Sequence, residues 1–71
     1  MSNIRDRLHK IGKPQTWLIL RLKERDVTVQ TSEFSYILSG VLTTPKAKRV
    51  LLVCEEILDE YEKEVGNNGT G

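Results

Sequence analysis

The sequence predicts a small all-α domain of four helices, in which three short helices precede a long C-terminal helix. Apolar residues recur at spacings of three and four in four separate segments, which is the pattern of amphipathic helices. Glycine, proline or a short β-branched run separates these segments. Seventy-one residues suffice for one domain. We place that domain at residues 1–65 and expect a disordered tail over residues 66–71.

The first two helices are predicted from their end signals. Ser2 or Asn3 caps the first helix, and Gly12 suits the position just after its last turn. Pro14 marks the entry to the second helix, which is expected over residues 15–25. The exposed positions of both helices are largely basic.

A connector and a third helix follow. Residues 26–29 break the helical spacing, and their two valines alternate with threonine, so extended backbone is expected there. Phe34, Ile37 and Leu38 then form one apolar stripe of the third helix, and Gly40 ends it.

The last helix has the clearest start signal in the chain. Thr44 suits an N-cap and Pro45 the first helical position. Its apolar stripe continues without an internal glycine or proline up to residue 65 and includes Cys54, which is expected to be an inert core residue. Tyr61 and Val65 extend the stripe beyond what a small domain covers, so a homodimer through this helix is expected to use them.

Composition argues against several function classes. One cysteine excludes an internal disulfide, and one histidine leaves no Cys/His cluster for zinc. We find no glycine-rich phosphate loop and no nucleophile–base pair, so we expect no catalytic residues, no cofactor and no metal. The longest apolar run has four residues, far fewer than the roughly 20 that a membrane span needs. A cytoplasmic protein is expected.

Charge is distributed unevenly along the chain. Residues 1–53 contain ten basic and four acidic side chains, whereas residues 54–71 contain six acidic side chains and one lysine. This polarity predicts that one end of the molecule faces a polyanion. The candidates for contacts with a phosphate backbone are Arg21, Lys23, Arg25, Lys46, Lys48 and Arg49.

The surface of the third helix has an unusual chemistry. Instead of Lys and Glu it carries short amide and hydroxyl groups, at Gln30, Thr31, Ser32, Ser35 and Tyr36. Compact groups that donate and accept hydrogen bonds are what a helix needs against the base edges of DNA. Glu33 argues against DNA, because phosphates repel a carboxylate; it can instead cap the helix or accept from a cytosine amino group.

Three segments together resemble a known family. The second helix begins Gln15-Thr16-Trp17-Leu18, the third ends Ile37-Leu38-Ser39-Gly40, and Thr44-Pro45 opens the last. This order resembles the helix-turn-helix domain of phage repressor and Cro-like regulators. It is most similar to small regulators of phages and mobile elements of Gram-positive bacteria. The resemblance implies a transcriptional regulator that binds double-stranded DNA in a sequence-specific way.

The resemblance also implies roles for individual residues. The base-reading positions would be Gln30, Thr31, Ser32 and Tyr36, with Ser35 nearby. Phosphate contacts would come from Gln15, Thr43, Thr44 and Lys46, assisted by Lys48 and Arg49.

One departure from the family keeps other functions open. The connector at residues 23–28 is about five residues longer than the family's turn, so the angle of the third helix is not set by the resemblance. The alternatives are a protein–protein adaptor, such as an antirepressor or anti-host factor, and an excisionase-like architectural DNA binder. The latter would need Val27-Thr28-Val29 to form a wing.

Overall fold

The computed structural model describes the backbone of residues 4–70 and the side chains of residues 4–65. The helices are α1 (Ile4–Ile11), α2 (Gln15–Glu24), α3 (Thr31–Leu38) and α4 (Pro45–Thr70). The described residues contain no strand, which confirms an all-α fold with a long C-terminal helix. The predicted cap at Ser2 or Asn3 lies outside the described residues. A disordered tail was predicted over residues 66–71, whereas the backbone of α4 continues to Thr70; the side chains of residues 66–71 lie outside the described part of the chain.

The first three helices end in the same way. A residue with a left-handed backbone follows each helix: Gly12 at φ 71° comes directly after α1, while Asp26 at φ 63° and Gly40 at φ 83° come two residues after the ends of α2 and α3. At each end two backbone N–H groups return to carbonyls of the last turn, which is the Schellman arrangement. The ends predicted from Gly12 and Gly40 are therefore confirmed. A left-handed residue at position 26 was not predicted, because glycine is the usual signal for one.

The connector between α2 and α3 is held to the core. The N–H of Asp26 donates to the carbonyl of Lys23 at 3.0 Å, and the N–H of Val27 donates to that of Leu22 at 2.9 Å. Val27 and Val29 are then buried, at 7% and 6% exposure. The predicted break in the helical pattern is confirmed, and its two valines anchor the connector.

The start of α4 agrees with its predicted signals. The Oγ1 of Thr44 accepts a hydrogen bond from the N–H of Ala47 at 3.1 Å, and Pro45 is the first helical residue. This bond satisfies one of the N–H groups that a helix start leaves without a partner.

The core lies between α4 and the other three helices. Phe34, Leu18, Leu22, Val50, Cys54 and Leu58 are fully buried. Cys54 is thus a core residue, as predicted, and burial raises the pKa of its thiol to about 12. None of the helices within the described residues has the length and apolar character needed to cross a membrane.

Candidate nucleic-acid interface

The outward face of α3 consists of uncharged polar groups. Phe34 and Ile37 point into the core at 0% and 2% exposure. Because successive helical residues are about 100° apart, Ser32 and Tyr36 point the other way and Thr31 lies at the edge of this outer face; all three are exposed. Tyr36 is the largest of these side chains and is 54% exposed.

The start of α2 lies along one side of α3. The Oγ of Ser35, which is half-buried, donates to the Oε1 of Gln15 at 3.4 Å. Gln15 is the first residue of α2, so backbone N–H groups of a helix N-terminus and its positive dipole end lie beside α3. The amide nitrogen of Gln15 retains two hydrogens that this bond does not use.

Arg5 joins this side of α3, although no feature of the sequence singled it out. Its Nη2 donates to the backbone carbonyl of Ser35 at 3.4 Å. Arg5 and Lys10 are both exposed basic residues of α1, and only the contact with the carbonyl of Ser35 in the folded chain distinguishes Arg5. A guanidinium has five N–H donors, so Arg5 keeps donors for another partner.

The start of α4 lies at the N-terminal end of α3. The Nζ of Lys46 is 3.2 Å from the Oε2 of Glu33. Glu33 also accepts from the backbone N–H of Gln30 at 3.4 Å, so the capping role considered for Glu33 is the one that the structure gives it. Thr43 and Thr44 are exposed beside this contact, and the capping bond leaves the hydroxyl hydrogen of Thr44 free to be donated.

Two of the predicted phosphate contacts lie on the side of α2 that faces α4. The Nη1 of Arg21 pairs with Glu24 at 3.0 Å, and the guanidinium lies 5.6 Å from the ring centre of Trp17. The Nη2 of Arg25 pairs with Glu60 at 2.7 Å. Folding therefore directs these two guanidinium groups to acidic and aromatic partners within the protein.

The remaining basic candidates are exposed. Lys23 is on the outer surface of α2, while Lys48 and Arg49 follow one turn after the start of α4. No ion pair involves any of the three within the described side chains.

The acidic part of α4 is partly neutralised from α1. The Nη2 of Arg7 pairs with Asp59 at 2.6 Å, and its Nε with Glu62 at 3.2 Å. The hydrogen bond that Arg7 donates to Asp59, and then the one that it donates to Glu62, raise the pKa of its guanidinium. Arg7 and Arg25 thus hold α1 and α2 against the acidic part of α4.

The two residues predicted for a homodimer differ in their surroundings. The ring of Tyr61 meets that of Trp17 edge to face, with centroids 5.2 Å apart and an interplanar angle of 70°. Val65 is 49% exposed and borders a shallow groove with Lys10 and Ile11. Tyr61 is therefore already engaged within the monomer, and the dimer through this pair stays a prediction.

Among residues 4–70 as described, no three His, Cys, Asp or Glu side chains are grouped so as to hold a metal ion. No protein-family model, curated protein or solved structure matches this chain.

Proposed function

We propose that this chain is a sequence-specific DNA-binding regulator of transcription, of the helix-turn-helix type found in phages and mobile elements. The proposal rests mainly on one observation, which is the uncharged hydrogen-bonding face of α3 next to the N-termini of two other helices. A helix enters the major groove with such a face, and neighbouring helix N-termini reach the phosphates on either side.

In this arrangement α3 supplies the base contacts. Ser32 and Tyr36 project furthest from the core, with Thr31 and Ser35 beside them. Hydroxyl groups both donate and accept, so they pair with several base edges, whereas the amide of Gln30 pairs with adenine through two bonds. One good bidentate pair contributes about 1–3 kcal/mol of discrimination between bases.

Groups at the edges of α3 supply the phosphate contacts. Gln15 and Arg5 lie on one side, and Lys46 with Thr43 and Thr44 lies at the start of α4. Two positive helix ends strengthen contacts from these side chains to phosphate oxygens.

The two features that argued against DNA fit this arrangement. The long connector is fixed by backbone hydrogen bonds and by Val27 and Val29 in the core, so it holds α3 in one orientation. The carboxylate of Glu33 is paired with Lys46 and caps α3. Its charge is therefore partly compensated before any phosphate approaches.

A selection from a random pool of DNA duplexes tests the proposal. The wild-type protein is expected to enrich one short sequence motif. Ser32→Ala is expected to relax the preference at one or two positions, because it removes an exposed hydroxyl of α3. Ser39→Ala, in which the hydroxyl removed donates to the carbonyl of Tyr36 at 3.1 Å within the chain, serves as the matched control and keeps the motif.

The phosphate contacts are tested by titration at several salt concentrations. Arg5→Ala removes a guanidinium beside α3 and is expected to reduce the salt slope by about one. Arg25→Ala removes a guanidinium that binds Glu60 and is expected to leave the slope unchanged. Equal effects of the two variants, or enrichment of no motif by the wild type, would contradict the assignment of α3 to DNA.

A protein–protein adaptor on the same scaffold is the second candidate. The observation that favours it is the exposure of large apolar side chains, 61% at Leu20 and 71% at Val41. The selection separates the two functions, because an adaptor enriches no DNA motif. The excisionase-like alternative is less well supported, because it needs a wing at Val27-Thr28-Val29 and the described backbone of residues 27–29 is not a strand.

A further inference from the structure

The outer face of α4 carries a symmetric pattern of charge around one exposed leucine. Leu52 points away from the core with 63% of its surface exposed. Lys48 and Arg49 precede it by four and three positions, and Glu55 and Glu56 follow it by three and four. None of these four charged residues forms an ion pair within the described side chains.

The helical geometry sorts these charges into two rows. Residues seven positions apart lie almost above one another on a helix. Lys48 and Glu55 therefore form a row on one side of Leu52, and Arg49 and Glu56 form a row on the other. Each row has its positive charge toward the start of α4 and its negative charge toward the end.

We propose that this face, Lys48 to Glu56, binds the same face of a second copy, with the two α4 helices antiparallel. A two-fold axis across the helices at Leu52 brings the two leucines together and reverses the direction of each row. Lys48 then lies opposite Glu55 of the second copy, and Arg49 lies opposite Glu56 of the second copy. The symmetry repeats both contacts, so the interface contains four ion pairs.

The charge pattern also selects the direction of pairing. A parallel arrangement in the same register would place Lys48 against Arg49 of the second copy and Glu55 against Glu56 of the second copy. Like charges directly opposite each other are destabilising. A second copy in the antiparallel direction is therefore the occupant that the pattern of this surface fits.

This surface differs from the one expected at Tyr61 and Val65, and it gives another use to two candidate phosphate contacts. Lys48 and Arg49 bind the second copy instead of DNA. The proposal concerns contacts between copies of the chain and stands whether or not α3 binds DNA. The interface is small compared with the about 800 Å² that a stable interface buries on each partner. We expect a weak dimer with a dissociation constant on the order of 100 µM.

Two double variants, in each of which all four charged residues of the face have the same sign, test the pairing. Lys48→Glu with Arg49→Glu makes the charged residues of the face all negative, and Glu55→Lys with Glu56→Lys makes them all positive. Each variant alone is expected to self-associate at least about tenfold more weakly than the wild type, because four attractive pairs become repulsive. An equimolar mixture of the two is expected to form a heterodimer. Sedimentation equilibrium measures all three, and circular dichroism checks that each variant is folded.

The control moves the same charges elsewhere. Lys10→Glu with Lys23→Glu changes two exposed lysines outside the face Lys48 to Glu56. This variant is expected to self-associate as strongly as the wild type. Raising sodium chloride from about 50 mM to about 500 mM should weaken the wild-type dimer. The proposal is overturned if the wild type stays monomeric up to about 1 mM. It is also overturned if either single-sign variant dimerises as well as the wild type, or if their mixture stays monomeric.

Discussion

Replacing Asp26 with glycine is expected to raise the free energy of unfolding, because Asp26 is held in the left-handed region at φ 63°. Gly12 and Gly40 occupy the equivalent positions after α1 and α3. The three helix ends share one hydrogen-bond pattern and differ in the side chain at its left-handed residue. The chain therefore contains its own reference series for this substitution.

The magnitude follows from two opposing effects. An L-residue in the left-handed region is destabilised by roughly 1–2 kcal/mol, and somewhat less for aspartate, whose side chain bonds locally. Glycine loses about 0.5–1 kcal/mol more backbone entropy on folding. The net gain for Asp26→Gly is about 0.5 kcal/mol, and it corresponds to about 2–4 °C in the melting temperature of a domain this small.

The reverse substitutions measure the same effect with the opposite sign. A Cβ built at Gly12 or Gly40 meets no heavy atom within 4 Å, so steric clash does not contribute. Gly12→Ala and Gly40→Ala are each expected to lower the free energy of unfolding by about 0.5–1 kcal/mol. Urea denaturation measures all three variants against the wild type. The slope of the transition checks that the denatured state is unchanged.

One pattern of results would refute the reasoning. If Asp26→Gly lowers the stability while Gly12→Ala and Gly40→Ala behave as expected, Asp26 does not occupy the left-handed position in solution. The connector would then leave α2 differently, and the orientation of α3 derived from it would fail. If the reasoning is right, Asp26→Gly also leaves the selected DNA motif unchanged, because the turn keeps its geometry.

Two further predictions concern the core and the start of α4. Since the pKa of Cys54 is about 12 when folded, against 9.0 for an ordinary thiol, only the unfolded chain ionises it between these values. The free energy of unfolding of the wild type should therefore exceed that of Cys54→Ala by less and less as pH rises above 9, by up to about 1.4 kcal/mol per pH unit. Urea titrations at about pH 8 and about pH 10.5 measure this difference in stability, and a difference that stays constant would contradict the expectation. Thr44→Ala is expected to lower the free energy of unfolding by about 1 kcal/mol through loss of the cap, whereas Thr44→Ser keeps most of it. Thermal melts of the pair check this, and equal losses would argue against the capping bond.

The helices were predictable because their signals are local. Gly12 and Gly40 end α1 and α3, and Thr44 with Pro45 begins α4, each through contacts within a few residues. The left-handed backbone of Asp26 was not predicted, because it has no comparable local signal. Its left-handed backbone accompanies the burial of Val27 after α2 ends, and aspartate is a much weaker signal for that backbone than glycine.

The site was predictable only in part, because side-chain partners depend on which helices meet. The polar face of α3 could be seen from helical spacing alone. In contrast, the pairing of Arg25 with Glu60, 35 positions away, appears only once α2 packs on α4. The contact of Arg5 with the carbonyl of Ser35 has a separation of 30 positions and equally depends on the fold.

These internal pairs change the meaning of the uneven charge along the chain. Part of the positive charge of the first three helices is used to hold α1 and α2 against the acidic end of α4, through Arg7 and Arg25. A general attraction to a polyanion is therefore weaker than the sequence suggested. Under the proposed function, binding then depends on a few contacts at the edges of α3 and on its hydroxyl face. Pairing of two weak sites through α4 would add affinity without adding basic residues.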